Sequence, residues 1–500
     1  MKNIKRRDFL KTLSALSASR ALPVGLSIGA LTNKAHAASP DYGDVGVVAP
    51  TVMPQVINVF MYGGASELAG NLSNIADINA NSVNDYTDNS AFTVRMLQSA
   101  TDNLEANRSR FTDGQITANN FWKEAGGTHM EDMLAAGDMA VYRTIFKKKS
   151  ATRSHRESIF MSHKGTTDIE NTPGIGSRLA LMLKANESTY TTVNTADGQP
   201  LGSLDALTLP FVSFEGDTQT YTQDPENTLP VYLRGLTMDD QFNNPYTRGG
   251  LGGSETAITD LLALRKTVID ADYEKYGKVK DALDGRADLE ARMTNLAALT
   301  SAADLSVTYP NTNFARQIEA AVTLALHNPQ TLYMAVGTPG LGGWDDHNNG
   351  VDDYPNRMND LMAAIKAGME HIRQANLQGI TTIAGHARTQ TNNIVINVFG
   401  DFGRLVNLND SKGWDHANNQ NLYTFGGAGV RPTKEAAAMG TIVGTTERAG
   451  TPKTNNQYTV PAEGSPTFEP MSIAASIYGY FGATKPELMT SNDRPLNDFL

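Results

Sequence analysis

The chain has 500 residues and a formal net charge of −11, with 53 acidic against 42 basic side chains. That excess argues against nucleic acid or anionic lipid as a partner, since both would repel it at long range. There is no cysteine, which excludes disulfides, thiolate nucleophiles and iron–sulfur ligation and suits a compartment where free thiols are a liability.

Residues 1–37 read as an export address. Lys2, Lys5, Arg6 and Arg7 open it, Arg6-Arg7-Asp8-Phe9-Leu10-Lys11 matches the twin-arginine signal, and Ala35-His36-Ala37 supplies a small-residue cleavage site. Arg20, Pro23 and the glycines make the run between them a poor membrane span. The expectation is a partnership with the twin-arginine translocase during export and a periplasmic or secreted location. Loss of this basic segment leaves the mature chain, 38–500, more acidic still, and no later stretch is apolar enough to be an integral membrane segment.

Gln55–Tyr62 reads as a buried strand closed by Gly63-Gly64, which puts Ser66 and Glu67 at its carboxyl end. Residues 71–120 read as polar loop with short helices. A helix over His129–Gly137 feeds a strand at Met139–Ile145; Lys147-Lys148-Lys149 then reads as a solvated turn, and Thr152-Arg153-Ser154-His155-Arg156 follows. Residues 185–253 are irregular apart from a strand at Leu209–Phe214. Helical periodicity over Thr256–Leu299 predicts a helical insertion at about 255–300. A helix at Asn313–His327 leads into a strand at Leu332–Val336. The amphipathic helix Tyr354–Gln374 turns Met358, Leu361, Met362, Ile365 and Met369 to the core, Asn393–Phe399 is the next buried strand, Leu422–Phe425 a short one, and Met471–Phe481 a closing helix. Strands alternating with helices predict an α/β, three-layer fold around a mostly parallel sheet, without internal repeats.

The chemistry gathers at predicted strand ends, where open α/β folds hold their ligands. Gly342-Gly343-Trp344-Asp345-Asp346-His347 follows one strand, Gly400-Asp401-Phe402-Gly403-Arg404 another, and Gly413-Trp414-Asp415-His416 lies just beyond. Carboxylates and imidazoles at this spacing suit a divalent metal, with zinc, manganese or iron favoured and magnesium or calcium possible. Asp345, His347, Asp401, Asp415 and His416 are therefore the expected ligands. Asn348, Asn349, Asn418 and Asn419 are expected to orient them or to hold an oxyanion; the alternative is that such Asp and Asn residues cap helices and turns. Arg153 and Arg156 flank His155 as a candidate anion site, with Ser154 or Thr152 as a nucleophile if a base or metal activates it. His129 is expected to be a satisfied core histidine. Asp401-Phe402-Gly403 spells a kinase magnesium loop, but the other kinase signatures are missing.

Taken in order, the export signal, Gly63-Gly64-Ala65, Arg153-Ser154-His155, Gly165 with Pro173-Gly174, Trp344-Asp345-Asp346-His347, Phe402-Gly403-Arg404 and Asp415-His416 resemble the domain-of-unknown-function 1501 family. Those are exported bacterial proteins placed in the alkaline phosphatase/sulfatase superfamily. The resemblance covers most of the mature chain and implies an alkaline phosphatase-like sheet whose carboxyl edge holds metal ions that activate a nucleophile against phosphate or sulfate esters. It matches Asp345 and His347 to the ligands of one metal, Asp401 to the ligand of the following strand, and His416 to the last histidine. Three positions depart from the pattern: Ser66 stands in place of an aspartate, Asp401 in place of a glutamate, and Ala417 in place of a glycine. These departures are consistent with a single-metal site, or with a retained fold that has lost its chemistry. The expected function is metal-assisted hydrolysis of a small anionic ester, with Ser66, Ser154 or bound water as nucleophile and Arg153 and His155 at the anion. The alternative is a catalytically degenerate envelope protein that binds a partner or surface polymer.

Overall fold

The computed structural model describes residues 42–65, 117–242, 260, 263–264, 266, 305–408, 411, 413–448 and 459–500. The export signal, Ser66 with Glu67, and the expected insertion at 255–300 (apart from residues 260, 263, 264 and 266) lie outside the described residues.

The longest apolar runs form the middle of one sheet, because a strand covered on both faces has no polar side to show. Gln55–Met61 (β1) and Ile394–Gly400 (β6) are buried throughout and pair in parallel from Gln55 opposite Ile394 to Met61 opposite Gly400. Met139–Phe146 (β2), Phe211–Ser213 (β3), Leu236–Thr237 (β4), Tyr333–Val336 (β5), Asn419–Gly426 (β9) and Ile442–Val443 (β10) complete an eight-stranded sheet, ordered β10-β2-β9-β6-β1-β5-β3-β4. β9 alone runs against the rest, so the sheet is mixed but mostly parallel. Gly403–Leu408 (β7) and Trp414–Ala417 (β8) form a separate antiparallel hairpin between β6 and β9.

Alternation along the strands divides the apolar side chains between two cores. Ile57, Val59 and Met61 join Ile396 and Val398 in one, under the helices Gly127–Ala135 (α1), Asn313–His327 (α4) and Gly350–Gln378 (α5). Val56 and Phe60 join Val395 and Phe399 in the other, under Ile175–Ala185 (α3) and Pro470–Tyr480 (α6). Helices thus cover both faces of the sheet. The expected core stripe of α5 is buried at all five positions. α4 has the predicted limits, set by Thr312, whose hydroxyl accepts the Ala315 N–H at 3.1 Å as an N-cap. Two helices of ten or more residues were not foreseen: α3, and His155–Lys164 (α2), which is closed by Gly165 in the left-handed region. In α3 every residue from Ile175 to Leu183 is buried, so there is no polar face to produce a readable stripe. No helix among the described residues is long and apolar enough to cross a membrane.

Candidate metal centre

β1, β2, β5 and β6 run the same way, so their carboxyl ends share one edge of the sheet. Four segments meet there: the turn after β1, the segment from β2 to the first residue of α2, the loop from β5 to α5, and the end of β6 with its β7–β8 hairpin. Glycines permit the approach. A Cβ on Gly63 would strike the backbone of Trp344 and Asp345, and one on Gly413 the backbone of Asp346 and His347.

The meeting point is the Oδ1 atom of Asp345. Nε2 of His155 lies 3.4 Å from it, Nε2 of His347 3.3 Å, and Nε2 of His416 3.4 Å. The other nitrogen of each ring faces an acceptor. His155 Nδ1 meets Asp401 Oδ2 at 2.7 Å, His347 Nδ1 meets Asp415 Oδ1 at 3.0 Å, and His416 Nδ1 meets the Arg153 carbonyl at 2.9 Å. Those acceptors assign the proton of each neutral ring to Nδ1 and leave the Nε2 lone pairs pointing at one another and at a carboxylate. His347 Nε2 and His416 Nε2 are 2.8 Å apart, and His155 Nε2 is buried without a hydrogen-bond partner. Lone pairs so directed repel unless a cation or a proton stands between them.

The donor set fits a metal. Ligands about 2.0–2.2 Å from a tetrahedral ion are roughly 3.3–3.5 Å from each other, and the three separations from Asp345 Oδ1 fall there, with the His347–His416 separation shorter. Ligand atoms of His155, Asp345 and His416 all lie within 4.8 Å of one another. The donors within mutual ligand distance are His155, Asp345 and His416, with His347 beside them; imidazole and carboxylate donors of this kind could hold a divalent ion, and carboxylates or carbonyls behind the rings are the usual outer support of metal-bound histidine.

Arg404 fixes the carboxylate. Its buried guanidinium bonds Asp345 Oδ1 at 2.7 Å, the Trp344 carbonyl at 3.1 Å and the Trp414 carbonyl at 2.9 Å, Nε donates to Gly64 O at 2.7 Å, and a further bond goes to the Gly63 carbonyl. Burial alone would raise the Asp345 pKa, but the Arg404 hydrogen bond and charge, with His155 and His347, hold it below the usual carboxylate value. The Asp401 hydrogen bond raises His155, with the Asp401 and Asp345 charges, against burial. Burial, then the Arg404 charge, lowers His416.

Among the expected ligands the structure brings Asp345, His347 and His416 together. It adds His155, which was assigned to an anion and instead aims Nε2 at the shared oxygen. Asp401 and Asp415 stand one bond further out. Asp401 accepts the Gly63 N–H at 3.1 Å on one oxygen and His155 on the other, so it orients a ligand rather than being one; Asp415 does the same for His347. Ser154 is the exposed N-cap residue of α2 and makes no side-chain hydrogen bond among the described residues. Nδ1 of the neighbouring His155 is bonded to Asp401 and its Nε2 faces Asp345 Oδ1, so neither nitrogen is hydrogen-bonded to that serine. Thr152 Oγ1 donates to Glu157 at 2.5 Å, and Arg156 pairs with Glu170 at 3.1 Å, away from the site. Arg153 reaches the centre through its carbonyl, with its side chain exposed. Asn349 starts α5 with a left-handed backbone, φ 51°, and Asn419 bonds the Arg143 carbonyl at 3.0 Å; both are structural. Lys147 is buried rather than solvated. His129 is half-exposed with Nδ1 unpartnered, at the wall of a cavity of about 940 Å³, so it is not a satisfied core histidine.

Sequence reasoning passed over Arg404 as an anchor. The available signal was an arginine four residues past a buried strand, where a long cation must either cross to solvent or be bonded inside. No protein-family model matches this sequence, and no curated protein does.

Proposed function

We propose that this chain is an exported hydrolase of phosphate or sulfate esters that works with a single divalent metal held by Asp345, His155, His347 and His416, on an alkaline phosphatase-like sheet. The observation that carries the reading is the set of three rings, each anchored at Nδ1, that turn Nε2 to one carboxylate oxygen. When bound, a metal there polarises an ester oxygen and lowers the pKa of a coordinated water to near neutrality. The chain's part is to place and expose it. Arg404 keeps Asp345 ionised, Asp401, Asp415 and the Arg153 carbonyl hold the rings, and the Asp345 side chain is 47% exposed, which leaves an open approach for substrate. The exposed Arg153 beside His155 is placed to receive the anionic group. Export rests on the Arg6-Arg7 signal.

The test is metal analysis of natively exported protein beside the His155→Ala/His416→Ala double variant, followed by a phosphomonoester, phosphodiester and sulfate-ester screen. Roughly one equivalent of zinc, manganese or iron in the wild type, lost with all ester hydrolysis in the variant, is the expected outcome. Metal-free wild type would sink the proposal. One observation favours a second reading, a binding protein on the same scaffold: Ser154, one of the two nucleophile candidates among the described residues, has no activating partner, and Thr152, the other, bonds Glu157 away from the centre. Metal without turnover on any ester class would select that reading.

A further inference from the structure

Lys147 opens a run of three lysines after β2. Lys148 and Lys149 are exposed, whereas Lys147 is 1% exposed. A buried ammonium ordinarily rests against a carboxylate; among the described residues none lies within ion-pair distance of this one. Its Nζ donates to Ser158 Oγ on α2 at 2.6 Å and lies 5.1 Å from the centre of the Phe402 ring. That ring packs 4.7 Å from the His155 ring and 4.3 Å from the His416 ring, centre to centre. Asp401, the residue before Phe402, is fully buried, and among the described residues its oxygens meet only the His155 ring and the Gly63 N–H. Burial lowers the Lys147 pKa to about 8, and the charge that most opposes this is that of Asp401, ahead of Glu157.

We propose that Lys147 is a positioning residue of the metal centre: docked on Phe402, its ammonium balances the buried Asp401 carboxylate and so limits the electron density that Asp401 passes through His155 to the ion. The inference rests on the reading of His155, Asp345, His347 and His416 as a metal centre. A carboxylate behind a histidine makes the ring a stronger donor, and changes to such outer-shell partners shift metal affinity by about 10–100-fold. Lys147 therefore holds the ion less tightly bound, and more acidic towards its substrate, than Asp401 alone would make it.

Zn²⁺ affinity, measured by competition with a chromophoric chelator at about pH 7, where the lysine is charged, tests this on the whole mature protein. Lys147→Met is expected to bind Zn²⁺ about tenfold more tightly and Lys147→Arg like the wild type. The gain is expected to vanish when Lys147→Met is combined with Asp401→Asn. A lysine that only fills space would give the opposite sign, since a disturbed site binds metal more weakly. Weaker or unchanged binding in Lys147→Met, or the same gain with and without Asp401→Asn, overturns the role of Lys147 alone. Wild type that binds no Zn²⁺ overturns both that role and the metal centre. Should the methionine variant fail to fold, Lys147→Gln, which can keep the Ser158 bond, carries the same comparison.

Discussion

Two buried arginines sit at opposite ends of the same strands. At the amino end of β1 and β6, Arg388 donates to the Ala325 and Leu326 carbonyls at 2.7 and 2.9 Å, to Gln55 Oε1 at 2.8 Å, to Asn393 Oδ1 at 2.9 Å and to Gln390 O at 2.7 Å. Gln55 and Asn393 spend their own amide protons on the carbonyls of Asn328, Thr331 and Met53. Every strong donor there meets an acceptor. At the carboxyl end Arg404 is as thoroughly bonded, but the carboxylate it holds faces the Nε2 atoms of three rings, and that of His155 is buried without a hydrogen-bond partner. Structural polar clusters are closed on themselves, whereas a site is left with lone pairs turned inward. That distinction separates the two arginines more sharply than burial does.

The comparison can be broken most forcefully at its closed end. Arg388→Met should cost about 3–5 kcal/mol, because it strands buried acceptors that no water reaches, and denaturant unfolding will measure it; metal stoichiometry in the folded fraction should not change. At the open end His347→Ala should lower Zn²⁺ affinity by more than about 100-fold, beyond what outer-shell changes do. The metal-free variant should melt no lower than metal-free wild type, since one inward lone pair has been removed. A clear loss of apo stability would show that the rings are a structural cluster after all. Asp401→Asn should cost roughly 10–100-fold in affinity, and Asp415→Asn only a few-fold, because Asp415 is 54% exposed and water can replace it.

A separate pH effect concerns the segment that feeds His155. Glu469 accepts the backbone N–H groups of Lys148 and Lys149 at 3.0 and 2.8 Å, and burial raises its pKa from 4.5 to about 7 despite them. The folded state therefore holds a proton that the unfolded state has released between those two values. Stability should fall as pH rises through that window and level off above about 7. Glu469→Gln, which keeps an acceptor oxygen, should flatten the slope in thermal melts taken from pH 5 to 8.

Much of the frame was legible because it obeys single periods. β1, β5 and β6 are continuous apolar runs with glycine stops, and α4 and α5 carry clean stripes. β9 was read short because Asn419, Gln420 and Asn421 do not resemble a strand, yet all three are buried. Asp415-His416 was read as a loop because the hairpin that carries it shows no apolar alternation: the two polar residues stand together between buried Trp414 and Ala417. The site was legible as an inventory of Asp and His at strand ends. Which carboxylate ligates and which one orients depends on ring direction, and no spacing encodes that. Lys147 was misread for a related reason: a run of three lysines has the composition of surface, and only the packing of Phe402 and Ser158 distinguishes the first from its neighbours.

The assembly of this edge also sets an order of events. Arg153, whose carbonyl holds His416, is 263 positions away from it in the chain, and the loop that carries Asp345 enters between them. Drawing such distant pieces together carries an entropic cost that only a nearly finished sheet can offset. A nascent or half-folded chain consequently presents single histidines and no centre, so the ion can be captured only once β1, β2, β5 and β6 stand side by side. Under the proposed metal reading, occupancy would then be confined to chains in which this edge has been assembled.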